Sequence, residues 1–236
     1  GPHAGIGPML PSRRLQLLLM FLISHGSGRV SAYNYSNCNA ADPALGLTNR
    51  FNTGFYCAQS EEAFVELAKC RSIDYWCVYL CSNCTQTTMD SVQLVTIRGK
   101  APYYDYSLWI YYADAITSVA GLSGLSGALE GGLLVQRMAN LTNLAGLGGV
   151  SRVGTAKDGY SIVLMSNPEL ESAAALEGAD YTAGTLIITS NRKLACVPSD
   201  WPEKDGNSNA IRARSCGSDC VAADPALGLS QPFGDG

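Results

Sequence analysis

Thr185-Leu186-Ile187-Ile188-Thr189-Ser190-Asn191 says more about how this 236-residue chain folds than any other stretch of it. Leu186 and Ile188 stand at alternate positions, so in a strand both face the same side. Asn191 follows at the third position after Ile188. Upstream, Ile162-Val163-Leu164-Met165-Ser166-Asn167 repeats the phrase, giving the L-x-L-x-x-N pattern of the strand portion of a leucine-rich repeat. Looser forms occur at 107–111 (Leu108, Ile110) and 132–136 (Leu133, Val135), with Ala113 and Met138 where asparagine would stand. At 76–80, Val78 and Leu80 fit the frame, and Asn83 follows at the same offset. The second apolar positions are then Leu80, Ile110, Val135, Leu164 and Ile188, too unevenly spaced for a standard leucine-rich horseshoe.

Between the strands the apolar spacing changes to three. Ile116, Val119, Leu122 and Leu125 make one such series, and Leu141, Leu144, Leu147, Val150 and Val153 another. Glycines interrupt both, among them Gly121, Gly124, Gly146 and Gly149, and each costs a helix about 1 kcal/mol relative to alanine. The series therefore predicts coil that turns corners and sets one apolar side chain inward on each short face. One turn cannot bury its own apolar stripe, whereas stacked turns bury a continuous column. The expected fold is mainly β, a solenoid of about five coils over residues 76–196. Val78, Leu80, Leu108, Ile110, Leu133, Val135, Ile162, Leu164, Leu186 and Ile188 should line its interior. Asn167 and Asn191 should hydrogen-bond backbone and each other along the stack.

The run 184–198, preceded by 161–178, resembles the receptor L-domain. That is the right-handed β-helical domain of the insulin and epidermal growth factor receptors and of many protist surface proteins. The opening is similar as well: Cys57, then Glu61-Glu62-Ala63-Phe64-Val65-Glu66-Leu67-Ala68-Lys69, then Cys70, looks like the family's N-terminal cap. In the family a cysteine before the capping helix bonds to one just after it, so the resemblance implies a Cys57–Cys70 disulfide. The similarity covers 57–198 and is weakest around 84–106, where 92–97 is a candidate extra strand.

The two ends of the chain carry the same phrase. Cys38-Asn39-Ala40-Ala41-Asp42-Pro43-Ala44-Leu45-Gly46-Leu47-Thr48 returns as Cys220-Val221-Ala222-Ala223-Asp224-Pro225-Ala226-Leu227-Gly228-Leu229-Ser230, in one unbroken register. It reads as a tandem array of whole domains whose second unit has just begun, or as a linker motif used twice. The tandem reading makes the cysteine count even. Cys38, Cys57, Cys70, Cys77, Cys81, Cys84, Cys196 and Cys216 fall within one period, and Cys220 opens the next. Spacing alone does not choose their pairing; Cys196 is expected to bond with Cys216 or a close neighbour. The organisation expected is upstream residues and signal peptide (1–32), N-terminal arm (33–56), L-domain-like solenoid (57–198), cysteine-containing linker (199–219) and the start of a second unit (220–236).

Arg13 and Arg14, the apolar run 15–23 and the small residues Val30-Ser31-Ala32 have the form of a secretory signal, with cleavage expected after Ala32. The apolar run is too short to cross a bilayer, and no membrane span is expected in this portion. Three N-glycosylation sequons, at Asn34, Asn83 and Asn140, fit export. Glycan is expected on Asn34 and Asn140, whereas the strand frame turns Asn83 inward. An oxidising compartment makes disulfides the default for the cysteines, with zinc at Cys77, Cys81 and Cys84 the competitor. Both histidines, His3 and His25, precede the cleavage point, which removes imidazole catalysis and histidine metal ligation from the mature chain. No catalytic, cofactor-binding or metal site is expected. The formal charge of −4 becomes about −7 once Arg13, Arg14 and Arg29 are removed, a surface that repels nucleic acid.

Tyr103, Tyr104, Tyr106, Trp109, Tyr111 and Tyr112 form an aromatic cluster at the second coil. With Leu108 and Ile110 inward, Trp109 and Tyr111 should point out, either as an interface or packed beneath the loop 98–106. Two functions are consistent with this sequence. One is a secreted structural or adhesive glycoprotein that self-associates into an extracellular filament or cell-surface coat. The other is the ligand-binding ectodomain of a receptor. A polysaccharide-lyase type of enzyme would need acids and bases clustered on one coil face, and the outward positions are mostly apolar or aromatic.

Overall fold

The computed structural model describes residues 33–50, 53–181, 183–202 and 214–215. The chain divides into two compact units, Gly1–Tyr33 and Asn34–Gly236, and the architecture below is that of the second. The expected signal segment, Cys216 and the second copy of the repeated phrase lie outside the described residues.

Among the described residues the fold is mainly β. It opens with the 3-10 turn Pro43–Leu45 and an antiparallel pair, β1 (Thr48–Arg50) and β2 (Phe55–Cys57). The helix Glu61–Ala68 follows because Ser60 is extended and its hydroxyl accepts from the Ala63 N–H, a cap worth about 1 kcal/mol. Ala63, Phe64, Leu67 and Ala68 are its buried face, and Phe64 meets Trp76 edge-on at 5.9 Å between ring centroids. Next come β3 (Ser72–Ile73), β4 (Trp76–Tyr79), the short helix Gln86–Asp90, β5 (Thr96–Ile97), β6 (Tyr106–Tyr111) and β7 (Gly127–Leu129). The remaining strands are β8 (Gly132–Gln136), β9 (Val150–Val153), β10 (Tyr160–Met165), β11 (Thr185–Thr189), β12 (Cys196–Val197) and β13 (Arg214–Ser215).

Three rows of pairing organise these strands. β4, β6, β8, β10 and β11 form one five-stranded sheet, parallel throughout and in sequence order. A second row pairs β3 with β5 and β7 with β9, and the bridge Arg152↔Asp180 continues it. The third runs through Ser118, Asn143, Ser172 and Cys196 by single parallel bridges, then ends in β12 and β13. It thus reaches Arg214 and Ser215, inside the stretch read from sequence as a linker.

The sheet register corrects the sequence frame in its first strand. Trp76, Leu108, Leu133, Ile162 and Leu186 are successive partners, so the repeated frame of the first strand begins at Trp76 and not at Val78. Trp76 and Val78 are the inward pair, and Leu80 is 41 % exposed. The other nine side chains assigned to the interior are all buried. The slip arose because a large aromatic, Trp76, fills the position that Leu or Ile holds elsewhere. Leu80 falls instead where the strand ends. Leu80, Tyr112, Arg137, Ser166 and Ser190 occupy that position in the five strands, and all five have left-handed backbone, φ from 51° to 61°. For an L residue this costs about 1–2 kcal/mol. The corner is held because the N–H of Leu80, Tyr112, Arg137 and Ser166 each donates to the neighbouring strand's last carbonyl, on Tyr111, Gln136, Met165 and Thr189.

Asparagines seal the end of the same corner. Asn167 Oδ1 accepts from the Met138 N–H at 3.0 Å and its Nδ2 donates to the Val135 carbonyl at 3.0 Å. Asn191 repeats this one strand on, accepting from the Asn167 N–H at 2.9 Å and donating to the Leu164 carbonyl at 2.9 Å. In the first strand the corrected register puts Cys81 here, not Asn83. Cys81 is bonded to Cys84.

Ile116, Leu141 and Leu170, then Leu122, Leu147 and Leu176, and Leu125, Val150 and Ala179 are all buried. Each large side chain so removed from water contributes about 1.5–3 kcal/mol. The period of three seen in the sequence is the spacing of buried positions between the strands of the sheet. The 3-10 turns Ala120–Gly124, Ala145–Leu147 and Ala174–Leu176 sit over one another. Each packs closely on the element before it: a Cβ on Gly121 would stand 1.7 Å from the carbonyl oxygen of Met89 in the helix Gln86–Asp90, and one on Gly146 1.8 Å from that of Val119.

Three disulfides are described: Cys38–Cys70, Cys57–Cys77 and Cys81–Cys84. The Cys57–Cys70 bond implied by the family resemblance is not made. Ala58 bridges Val78, and its N–H donates to the Cys77 carbonyl, so Cys57 and Cys77 lie on adjacent strands with Cα atoms 4.8 Å apart. Cys70, at the far end of the helix, lies against the N-terminal arm and takes Cys38. Cys196 is disulfide-bonded; its expected mate Cys216 lies outside the described residues.

Candidate functional site

The aromatic cluster resolves into a buried part and an exposed part. Trp109 is only 9 % exposed. Phe55 from β2, Tyr104 and Tyr106 surround its ring with centroids at 5.0, 5.2 and 5.0 Å. It faces outward from the sheet, as its position in β6 requires, but the loop before β6 and the end of β2 cover it. Tyr106 is buried too, donating its hydroxyl to Asp158 at 3.0 Å. Burial first, and the Asp158 carboxylate second, push that phenol far above its ordinary pKa. Trp109 and Tyr106 are therefore packing residues, not an interface. Leu134, Val163 and Ile187, outward in the following strands, are buried as well.

What remains accessible lies along the left-handed corner. Tyr79 and Tyr111, partners across β4 and β6, stack at 4.8 Å with 14° between planes, and Arg137 lies 5.8 Å from the Tyr111 ring centre. Leu80 and Tyr112, beside them, are exposed; Tyr103, also exposed, lies before the other end of β6 with its ring 4.9 Å from Lys157 Nζ. Tyr104 and Tyr111 are half-buried. Sequence reading missed Phe55, Tyr79 and Leu80 as members of this region. Alternation in Phe55-Tyr56-Cys57 was the available signal for the first.

The second candidate region is the N-terminal end, where the first copy of the repeated phrase is seated. Its path is set residue by residue. The Cys38 N–H donates to the Ser72 carbonyl at 2.7 Å, on the outer edge of β3, and Arg98 Nη2 donates to the Cys38 carbonyl at 2.6 Å. The Ala40 N–H donates to Asp74 Oδ1 at 2.8 Å, and Ala40 is buried. Asp42 caps the turn Pro43–Leu45 by accepting from the Ala44 N–H, and Pro43 stands at the first position of that turn, where its missing N–H costs nothing. Leu45 is buried, and Gly46 closes the turn in left-handed backbone with φ 63°. An ion pair lies nearby. Lys69 Nζ is 2.6 Å from Glu66 Oε1, and the Tyr35 hydroxyl donates to the same carboxylate. Lys69 first, then Tyr35, hold the Glu66 carboxyl below its ordinary pKa.

All three sequon asparagines are exposed. For Asn83 this reverses the inward placement expected from sequence, because Cys81 holds the ladder position. Asn83 and Asn140 stand at the same offset from Val78 and Val135, which pair with Ile110 from its two sides and so lie two strands apart. No family model matches the chain, nor does any curated protein or solved structure. Among the described residues no helix is long and apolar enough to cross a membrane, and no three His, Cys, Asp or Glu side chains group as metal ligands would.

Proposed function

We propose that the three parallel rows are the faces of a right-handed β-helix of the receptor L-domain type, about five coils long and capped by the helix Glu61–Ala68. The chain is then a secreted glycoprotein that builds an extracellular filament or surface coat by head-to-tail association. The observation that carries this reading is the conjunction of a stack built along one axis with a duplicated end element. A stack of parallel strands ends in strand edges that must be capped or paired. Here the leading end is covered by residues 38–46, and the same phrase stands again at 220–228. Contacts between unlike ends that do not close into a ring generate open fibres. Sugars on Asn83 and Asn140 would project from one corner about 10 Å apart, given a strand spacing of about 4.8 Å. They would screen a lateral face and leave both ends free. Electron microscopy and sedimentation of native material test the proposal. Filaments lost on deleting 219–236 are expected, and dispersed particles unaffected by that deletion would refute it.

The receptor-ectodomain reading draws on the exposed ledge of Leu80, Tyr112 and Arg137 beside the Tyr79–Tyr111 stack, a surface suited to a protein or sugar ligand. It predicts a discrete monomer or dimer in the same experiments.

A further inference from the structure

We infer that residues 220–230 are a spare copy of the end cap, and that their binding site is the end face on which residues 38–48 sit, offered by another copy of this chain. The inference rests on the head-to-tail reading and specifies its contact. That face consists of the outer edge of β3, the Asp74 carboxylate, Arg98 and the helix Glu61–Ala68.

Its grip on the first copy falls into two classes, and the second copy satisfies both. The first class is contact with main chain: Ser72 carbonyl to Cys38 N–H, Arg98 to Cys38 carbonyl, and Asp74 to Ala40 N–H. Any sequence following the same path can make these. The second class fixes the path, and here each determinant recurs at the matching position of the second copy. Buried Ala40 becomes Ala222, the cap Asp42 becomes Asp224, Pro43 becomes Pro225, buried Leu45 becomes Leu227 and left-handed Gly46 becomes Gly228. Cys38, bonded to Cys70, becomes Cys220. Such selective matching is what a shared seat requires, since a merely solvated linker has no use for a buried leucine or a left-handed glycine at fixed spacing.

One change within the phrase orders the two copies. The Asn39 side chain accepts from the Ala41 N–H at 2.8 Å, whereas Val221 at the matching position has no acceptor. Together with its tether and disulfide, this lets the first copy hold its own seat. The second copy is seated where the first is released.

The test uses the whole chain with Cys38→Ala, which opens the lock and leaves the Cys70 thiol as a reporter of what lies against it. Equal amounts of isotopically light and heavy chains are mixed and oxidised with glutathione disulfide, which accepts the two electrons and leaves as two glutathione thiols. Peptide mapping without reduction should find Cys70 joined to Cys220, with light–heavy pairs showing that the bond links separate chains. Adding Gly228→Val should lower the yield at least ten-fold, because a β-branched residue resists the backbone conformation Gly46 adopts. Cys70 recovered as its glutathione adduct, a Cys70–Cys220 link confined to single chains, or equal yield from the Gly228→Val chain would each overturn the inference.

If the free Cys70 thiol of the Cys38→Ala chain disturbs Cys57–Cys77 or Cys81–Cys84, a Cys38→Ser/Cys70→Ser chain, in which the lock is open and that thiol is gone, replaces it. A fluorescent peptide of residues 219–231 carrying Cys220→Ser should bind that chain at least ten-fold tighter than the wild type, and its Gly228→Val form should not bind. Equal binding of the two peptides, or none, overturns the inference. Filaments that persist in the Gly228→Val chain would remove this contact while leaving the head-to-tail reading standing.

Discussion

Replacing Asn167 by alanine should destabilise the fold far more than replacing Asn191. The two residues make the same pair of hydrogen bonds to the preceding strand, but they differ in access to water. Asn167 is fully buried, and its ladder partners are the Val135 carbonyl and the Met138 N–H. Removing its side chain strands one acceptor and one donor, each costing about 1–3 kcal/mol when no water can reach it. A small cavity adds to that, so the expected loss is about 3–5 kcal/mol. Asn191 is half-buried at the last strand of the sheet, where water can take over, and its loss should cost about 1 kcal/mol. In equilibrium urea unfolding, with a slope of about 2 kcal/mol per molar, Asn167→Ala should lower the midpoint by about 2 M and Asn191→Ala by about 0.5 M. Midpoints within about 0.3 M of each other would refute the argument that the buried rung of the ladder carries the cost.

Ile162→Asp would bury an unpaired carboxylate among apolar side chains and should cost several kcal/mol, whereas Leu80→Asp, on an exposed corner, should change stability by less than about 0.5 kcal/mol. The same unfolding assay reads both, and a costly Leu80→Asp would restore the sequence frame in place of the structural one. Gly146→Ala should cost more than about 2 kcal/mol, because its Cβ would stand 1.8 Å from the Val119 carbonyl oxygen and the stacked turns must part. Gly159→Ala meets nothing within 4 Å and should cost only the strain of its positive φ, about 1 kcal/mol. Because the folded Glu66 carboxyl titrates below its unfolded value, its contribution is present above about pH 4.5 and is lost as pH falls through the lower folded pKa. Glu66→Gln should flatten that part of the acid limb in a pH series of melting temperatures, and an unchanged limb would contradict the pairing with Lys69 and Tyr35.

Much of the stack was legible because its signal is periodic. Leu108, Ile110, Leu133, Val135, Ile162, Leu164, Leu186 and Ile188 announced four strands, and the series at spacing three announced the buried positions between them. Periodicity failed where the repeat is irregular. At 76–80 a tryptophan took the place of an aliphatic residue, and the frame slipped forward onto Leu80 and Asn83. The left-handed corner left no trace, since Leu, Tyr, Arg and Ser at one register position share no propensity for that backbone. The geometry there is imposed by bonds to the neighbouring strand. Disulfide pairing was out of reach for a related reason. Cys57 finds Cys77 through strand adjacency, which depends on the slipped register, and the family pattern pointed to Cys70 instead. For the aromatic cluster, alternation gave the outward direction of Trp109 correctly, but only tertiary structure shows that Phe55 and Tyr104 cover it.

If the parallel rows are the faces of a solenoid, cysteine placement follows from its mechanics. No cysteine occurs between Cys84 and Cys196. In that span β6, β8 and β10 each have a paired strand on both sides, and buried side chains, close 3-10 contacts and the asparagine hydrogen bonds hold it together. An end turn has one neighbour only and forfeits roughly half of that stabilisation. The first turn, from Trp76 to its partner Leu108, is also the least regular, with a helix in place of a 3-10 turn. Three disulfides cover this end and tie the arm, the capping helix and β4 together, and Cys196 marks the other. Closing the 20-residue separation of Cys57 and Cys77 alone removes about 3 kcal/mol of unfolded-chain entropy in the loop model. If the units join end to end, those stapled ends are the surfaces in contact, and a contact between rigid ends loses less entropy than one between fraying turns. In such an assembly the covalent staples would serve the contact as well as the stability of one unit.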